Sequence, residues 1–134
     1  MLKLEYVSIN EIKAYARNPR KNSKSIEAVA ASIKEFGVIV PIVLDDTNTI
    51  VAGHTRVIAA RKLGIKELPC TRATGLTEAQ INAYRLADNK TGEAADWDLP
   101  ALEIELSELS EEGMEKIDNM GFGLAFEEAL VMRD

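Results

Sequence analysis

The run Gly53-His54-Thr55-Arg56 has the residue types and spacing best suited to chemistry in this chain, and that chemistry is the holding of an oxyanion. Glycine admits backbone angles that other residues resist, and it lets a bound group approach the main chain without meeting a β-carbon. A helix starting at about His54 or Thr55 points its first free N–H groups, and the positive end of its dipole, back at this turn. Arg56 adds a guanidinium in the first helical turn, suited to gripping a phosphate through two parallel hydrogen bonds. His54, the only histidine, reads either as a plain capping or surface residue or as a ligand or catalytic group. Strand-glycine-helix junctions are common in α/β proteins, so the company the turn keeps has to decide.

Two further clusters bear on it. Arg17-Asn18-Pro19-Arg20-Lys21 gathers three positive charges around a proline that keeps the backbone extended. It reads as a solvated basic loop, or as a loop whose Arg17, Arg20 or Lys21 reaches a ligand phosphate or a DNA backbone. Asp88 and Asn89 fall where a helix is expected to end. They suit a C-terminal turn, and equally a hard cation such as Mg²⁺, which takes oxygen ligands and tends to bridge to substrate phosphates.

The elements that must position these groups follow from periodicity. Leu2 to Ile9 alternates as a first strand with one covered face, and Asn10-Glu11-Ile12 starts a short helical turn. Ile26, Val29, Ala30, Ile33 and Phe36 recur at helical spacing, with Ser23 or Ser25 as cap and Gly37 as stop. Val38 to Leu44 is β-branched and nearly continuous, as in a strand covered on both sides, although Pro41 forces the strand to begin near it or leaves that edge unpaired. Asp45-Asp46-Thr47-Asn48 makes a hairpin of Ile42–Leu44 and Thr49–Ala52. The helix after Gly53 is closed by Gly64, and Lys66 to Arg72 is a further strand carrying Cys70 as a small buried apolar residue. Thr77-Glu78-Ala79-Gln80 is a capping box opening a helix to about Asn89 that buries Ile81, Tyr84 and Leu86 or Ala87. Asp98 and Pro100 start an acidic amphipathic helix with Leu99, Leu102, Leu106 and Leu109 in one stripe. A weak helix follows from Glu111, then a break at Gly121-Phe122-Gly123.

Composition bounds the functions. At 134 residues, 46% hydrophobic and 28% charged, the chain is one globular domain with a small appendage. No apolar run reaches the ~20 residues that span a bilayer, and no signal-peptide layout is present, so a cytoplasmic location without membrane attachment is expected. One cysteine and one histidine exclude an internal disulfide and the usual zinc sites. Residues 1–72 hold twelve Lys and Arg against seven Asp and Glu, whereas residues 73–134 hold four against fifteen. The front half suits an anion or nucleic acid, and the back half repels a phosphate backbone, so DNA binding by this chain alone is expected to be weak.

Over about residues 4–93 the chain resembles the N-terminal domain of the ParB/sulfiredoxin superfamily, often labelled ParB-like nuclease domain. The resemblance rests on Asn18-Pro19-Arg20-Lys21, Ala31-Ser32-Ile33-Lys34-Glu35-Phe36-Gly37, Pro41-Ile42-Val43-Leu44 and Ile50-Val51-Ala52-Gly53-His54-Thr55-Arg56-Val57-Ile58-Ala59-Ala60. It implies an α+β fold, a small mixed sheet of about four strands flanked by helices over 1–93, with an acidic helical extension over 94–134. In ParB proteins the matching turn holds the triphosphate of CTP, a Gly-x-x-Gln-Pro-Ile stretch contributes, and a Glu-Asn pair helps hold Mg²⁺. The resemblance thus assigns Gly53, His54, Thr55 and Arg56 to phosphate binding and Asp88-Asn89 to Mg²⁺, and the basic loop offers Arg20 and Lys21 to the same phosphates. Valine at position 40 replaces the glutamine, which removes a polar contact expected for CTP. His54 stands where sulfiredoxins carry their reactive cysteine, so cysteine-based peroxiredoxin repair is not implied. Leu86 to Trp97 with the acidic helix after it most resembles ParB-like domains of prophages or those fused ahead of DNA methyltransferases.

Three functions compete. The first is a regulatory module binding CTP or ATP with Mg²⁺, acting in DNA metabolism (partitioning, prophage or DNA-modification functions) with a partner such as a methyltransferase. The second is a Mg²⁺-dependent enzyme of the same superfamily, a nuclease, nucleoside triphosphatase or small-molecule kinase, with Asp88 or Glu93 for the metal and His54 or a carboxylate for proton transfer. The third is an interaction domain without ligand, a homodimer through Leu99 to Leu109. Direct DNA contact falls to the basic face of Arg17, Arg20, Lys21 and Lys24, indifferent to base order, since no helix-turn-helix is legible.

Overall fold

The computed structural model describes residues 2–17, 25–94, 98–117 and 120, with the side chains of 89–94 outside that description. Two compact units form, Met1–Ala94 and Ala95–Asp134. The first is an α+β unit built on a four-stranded mixed sheet: β1 (Glu5–Ser8), β2 (Ile42–Leu44), β3 (Ile50–Ala52) and β4 (Glu67–Arg72), in the order β1-β4-β2-β3. β1 lies antiparallel to β4, β4 parallel to β2, and β2 antiparallel to β3. Around it stand α1 (Ile26–Phe36), α2 (His54–Lys62) and α3 (Glu78–Ala94).

The core forms where apolar alternation from the sheet meets α2. Val7, Ile42, Leu44, Ile50, Leu68 and Cys70 close with Val57 and Ala60, and the short 3₁₀ turn Ile9–Glu11 adds Ile9, with Ile12 beyond it. Each such aliphatic side chain contributes roughly 1.5–3 kcal/mol by leaving water. Helix α1 packs on α2, where Lys62 pairs with Glu27, and Gly37 ends it at φ 80° with its N–H on the Ile33 carbonyl.

Several boundaries differ from expectation. β1 is shorter than Leu2–Ile9, and its covered face carries Val7, while Leu2, Leu4 and Tyr6 are exposed. β2 begins only after Pro41, and Ile39 and Val40 are 75% and 56% exposed, so the apolar run before the proline is not a buried strand. The proline has no N–H for a ladder, and pairing with β4 starts at Ile42. Helix α3 runs to Ala94, past the expected end at Asn89, which places Asp88 and Asn89 inside a helix and not in a C-terminal turn. Its capping box forms as read: the Thr77 N–H donates to Gln80 Oε1 and the Gln80 N–H to Thr77 Oγ1. Its buried face, however, is not the expected one. Tyr84 and Leu86 are 44% and 60% exposed, and Arg85 is buried in their place.

The hairpin turn is tied by Asp45, whose Oδ1 accepts from the Thr47 and Thr49 N–H groups and the Thr47 hydroxyl, while Asn48 takes φ 65°. Beyond the 3₁₀ turn the chain runs beside β3: the Lys13 N–H donates to the Asn48 carbonyl and the Ile50 N–H to the Lys13 carbonyl. This pairing delivers Tyr15 to the start of α2. In the second unit α4 (Leu99–Glu108) is capped by Asp98, which accepts from the Ala101 N–H, and α5 (Glu111–Ile117) follows. Leu102 of the expected stripe is buried. The break expected at Gly121-Phe122-Gly123 lies outside the described residues.

Candidate functional site

Gly53 caps α2 in a left-handed conformation, φ 108° and ψ 24°. Both the angle and the space demand glycine, since a β-carbon there would sit 2.8 Å from Ile42 Cδ1 and 3.1 Å from Arg56 Nη2. No side chain caps the helix start, so the first-turn amides of α2 are offered at the turn. Arg56 folds back across Gly53 and donates from Nη2 to the Pro41 carbonyl at 3.2 Å. That bond ties the turn to the Gly37–Ile42 stretch. Its Nε is buried with no hydrogen-bond partner among the described residues. Burial lowers the pKa of this guanidinium and the charge of Asp88 works against that shift, which places the carboxylate of α3 within electrostatic reach of the turn.

His54 faces the other way. Its Nε2 accepts the Tyr15 backbone N–H at 3.3 Å, and burial first, then the charge of Arg85, hold its pKa below the usual value. Arg85 is 6% exposed, its guanidinium lying 3.8 Å from the centroid of the Tyr15 ring. It donates from Nε to the Ile50 carbonyl at 3.1 Å and from Nη1 to Asn82 Oδ1 at 2.8 Å. Arg85 also lines a cavity of about 540 Å³ between the hairpin turn and α3, together with Tyr15, Arg17, Asp45, Thr49 and Asn82.

The fold therefore brings Gly53, His54, Thr55 and Arg56 together at the start of α2 and sets Asp88 near Arg56. Arg17 lines the hairpin-side cavity. Arg20, Lys21 and Lys24 lie outside the described residues, as do the side chains of Asn89 and Glu93. Among the described residues no three His, Cys, Asp or Glu side chains gather to hold a metal. Cys70 is fully buried at the sheet centre, and burial pushes its thiol pKa up, which suits an inert core residue. Ile81, Tyr84 and Leu86 or Ala87 are the buried face expected of this helix from sequence, and Arg85 is not singled out there. Its position four residues after Ile81 puts it on the same face of α3 as that apolar residue, and this spacing is the signal that marks it.

The four-stranded mixed sheet with its flanking helices matches the fold of the ParB/sulfiredoxin superfamily. The chain belongs to the ParB N-terminal domain family, whose profile matches residues 2–89. It is 38% identical over 80 residues to the ParB-like nuclease domain-containing protein YnaK of Escherichia coli K12, covering 59% of this chain and 92% of that protein. It is 39% identical over 70 residues to a probable chromosome-partitioning protein ParB of Vibrio cholerae, covering 48% of this chain but 24% of the relative. The chain thus spans about a quarter of that partitioning protein. In fold it is similar to the C-terminally truncated chromosome-partitioning protein ParB of Caulobacter crescentus complexed with CTP-γ-S, with a TM-score of 0.68 at 22% identity over 97% of this chain and 85% of that one. Sulfiredoxin of Arabidopsis thaliana shares the fold at a TM-score of 0.51 and 21% identity, over 61% of this chain and 96% of that one.

Proposed function

We propose that this chain is a ParB-like regulatory module that binds a nucleoside triphosphate, CTP or ATP, with Mg²⁺ at the Gly53–Arg56 turn and acts in DNA metabolism. The observation that carries the reading is the pairing of an uncapped helix start at Gly53 with an Arg56 guanidinium whose buried Nε has no acceptor among the described residues. A phosphate oxygen at the turn meets the helix dipole and lies beside this guanidinium, whose Nε it would engage once the side chain turns from Pro41 toward the ligand. The nucleotide complex of the Caulobacter ParB adds weight to a triphosphate as the guest. Asp88, an exposed carboxylate near Arg56, fits an ion that keeps most of its waters and bridges to phosphate oxygens. With no larger ligand cluster among the described residues, Mg²⁺ is expected to arrive with the nucleotide.

Val40 is exposed where the family motif places glutamine, which removes a polar contact expected for CTP and keeps ATP as an equal candidate. His54 Nε2, the one basic nitrogen of a neutral imidazole, already accepts the Tyr15 amide, so the geometry favours a positioning role over proton transfer. The test is calorimetry on the whole chain with Mg·CTP and Mg·ATP. Saturable binding of either, weakened roughly tenfold or more in Arg56→Ala as a charge-assisted bond is lost, supports the reading. The absence of heat with both nucleotides ends it.

A further inference from the structure

A guanidinium buried to the degree of Arg85 is a poor device for stability alone, because an apolar side chain of similar volume packs as well without desolvating a charge. Its contacts nevertheless reach the end of β3, the Tyr15 segment and the hairpin turn, three parts of the chain near the phosphate turn. Nε holds the Ile50 carbonyl of β3, the strand that leads into Gly53. The guanidinium face lies under the Tyr15 ring, and the Tyr15 amide in turn holds His54, the first residue of α2. Nη2 has no hydrogen-bond partner among the described residues and faces Asp45 Oδ2 across 3.8 Å, which ties the hairpin turn loosely to the same group.

We infer that Arg85 is a positioning residue for the phosphate turn, acting through Tyr15 and His54. It seats the Tyr15 segment so that its amide fixes His54. The inference rests on the reading that this turn binds a nucleoside triphosphate. An imidazole accepting at Nε2 carries its proton on Nδ1, and burial, with the nearby cation second, disfavours the imidazolium, so the linkage has a spectroscopic signature.

The experiment compares the whole chain with Arg85→Met, Arg85→Lys and Tyr15→Leu. Fold is checked by thermal melting, affinity for Mg·CTP and Mg·ATP by calorimetry, and the His54 tautomer by imidazole ¹⁵N shifts, which are unambiguous with one histidine. The wild type is expected to show the Nδ1–H tautomer. Arg85→Met is expected to stay folded, lose that tautomer and bind about tenfold more weakly, the low end of what losing an outer positioning contact costs a site. Arg85→Lys should recover part of both. A folded Arg85→Met with wild-type affinity and an unchanged His54 spectrum overturns the inference, and so does lost affinity with an unchanged spectrum. If Arg85→Met fails to fold, Tyr15→Leu decides in the same way, since it removes the ring and leaves the bonds of Arg85 to Ile50 and Asn82. If the wild type binds neither nucleotide, the parent reading fails, while the His54 spectrum still shows whether Arg85 sets the imidazole.

Discussion

The imidazole of His54 makes the stability of this protein sensitive to pH in a window of its own. Burial, with the charge of Arg85, lowers its folded pKa below the unfolded value of 6.5. The unfolded chain therefore binds the proton first as pH falls. The stability tied to neutral His54 is complete above pH 6.5 and is lost as pH falls from there through the folded pKa. Denaturant melts of wild type and His54→Asn should diverge in pH slope across that window, and parallel slopes would refute the assignment. Asp45 acts lower. Burial raises its pKa, but the Thr49 amide, the Thr47 hydroxyl and amide, and the charge of Arg85 together outweigh burial and leave it below 3.8, so its contribution is lost only in stronger acid. Gly53 is the most restrictive backbone position of the site. Gly53→Ala meets both a strained φ of 108° and a 2.8 Å approach to Ile42 Cδ1, and is expected to destabilise by about 1–3 kcal/mol, read as a lowered denaturant midpoint.

Elements were legible where a local signal had no competitor. The Thr77–Gln80 box, the Gly37 stop and the Asp45 turn each satisfy their own backbone within a few residues, so tertiary context had little to add. Thr77→Ala should accordingly cost about 1 kcal/mol, seen as lower helicity and melting temperature. Legibility failed where the outcome depended on a distant partner. The run Val38–Val40 reads as strand by composition, yet among the described residues no strand pairs with it before Pro41. Helix α3 runs through Asp88 and Asn89, residues that by themselves suggest a stop. The candidate site reads from the sequence as a turn and an arginine, because Gly53 and Arg56 lie three residues apart. Its support does not, because the Arg85–Tyr15–His54 chain joins α3, the segment after the 3₁₀ turn and α2 across 39 residues or more of sequence on one side.

At the scale of the whole molecule, the uneven charge is the feature that bears on DNA. Residues 1–94 carry fourteen Lys and Arg against ten Asp and Glu, whereas residues 95–134 carry two against twelve. An acidic unit on the same chain lowers the local potential for a phosphate backbone through long-range repulsion, which salt screens with a Debye length of about 8 Å at physiological ionic strength. Removing residues 95–134 is therefore expected to raise the affinity for non-specific duplex DNA at low salt. The gain should shrink toward nothing as salt is raised, and it should be the same for duplexes of unrelated sequence. Fluorescence anisotropy of labelled duplexes across a salt series measures this, with a cooperative melt confirming that residues 1–94 remain folded. A gain that persists at high salt would mean that the acidic unit acts by covering the DNA-facing surface and not by its charge. No gain at any salt would mean that residues 1–94 do not meet duplex DNA at all.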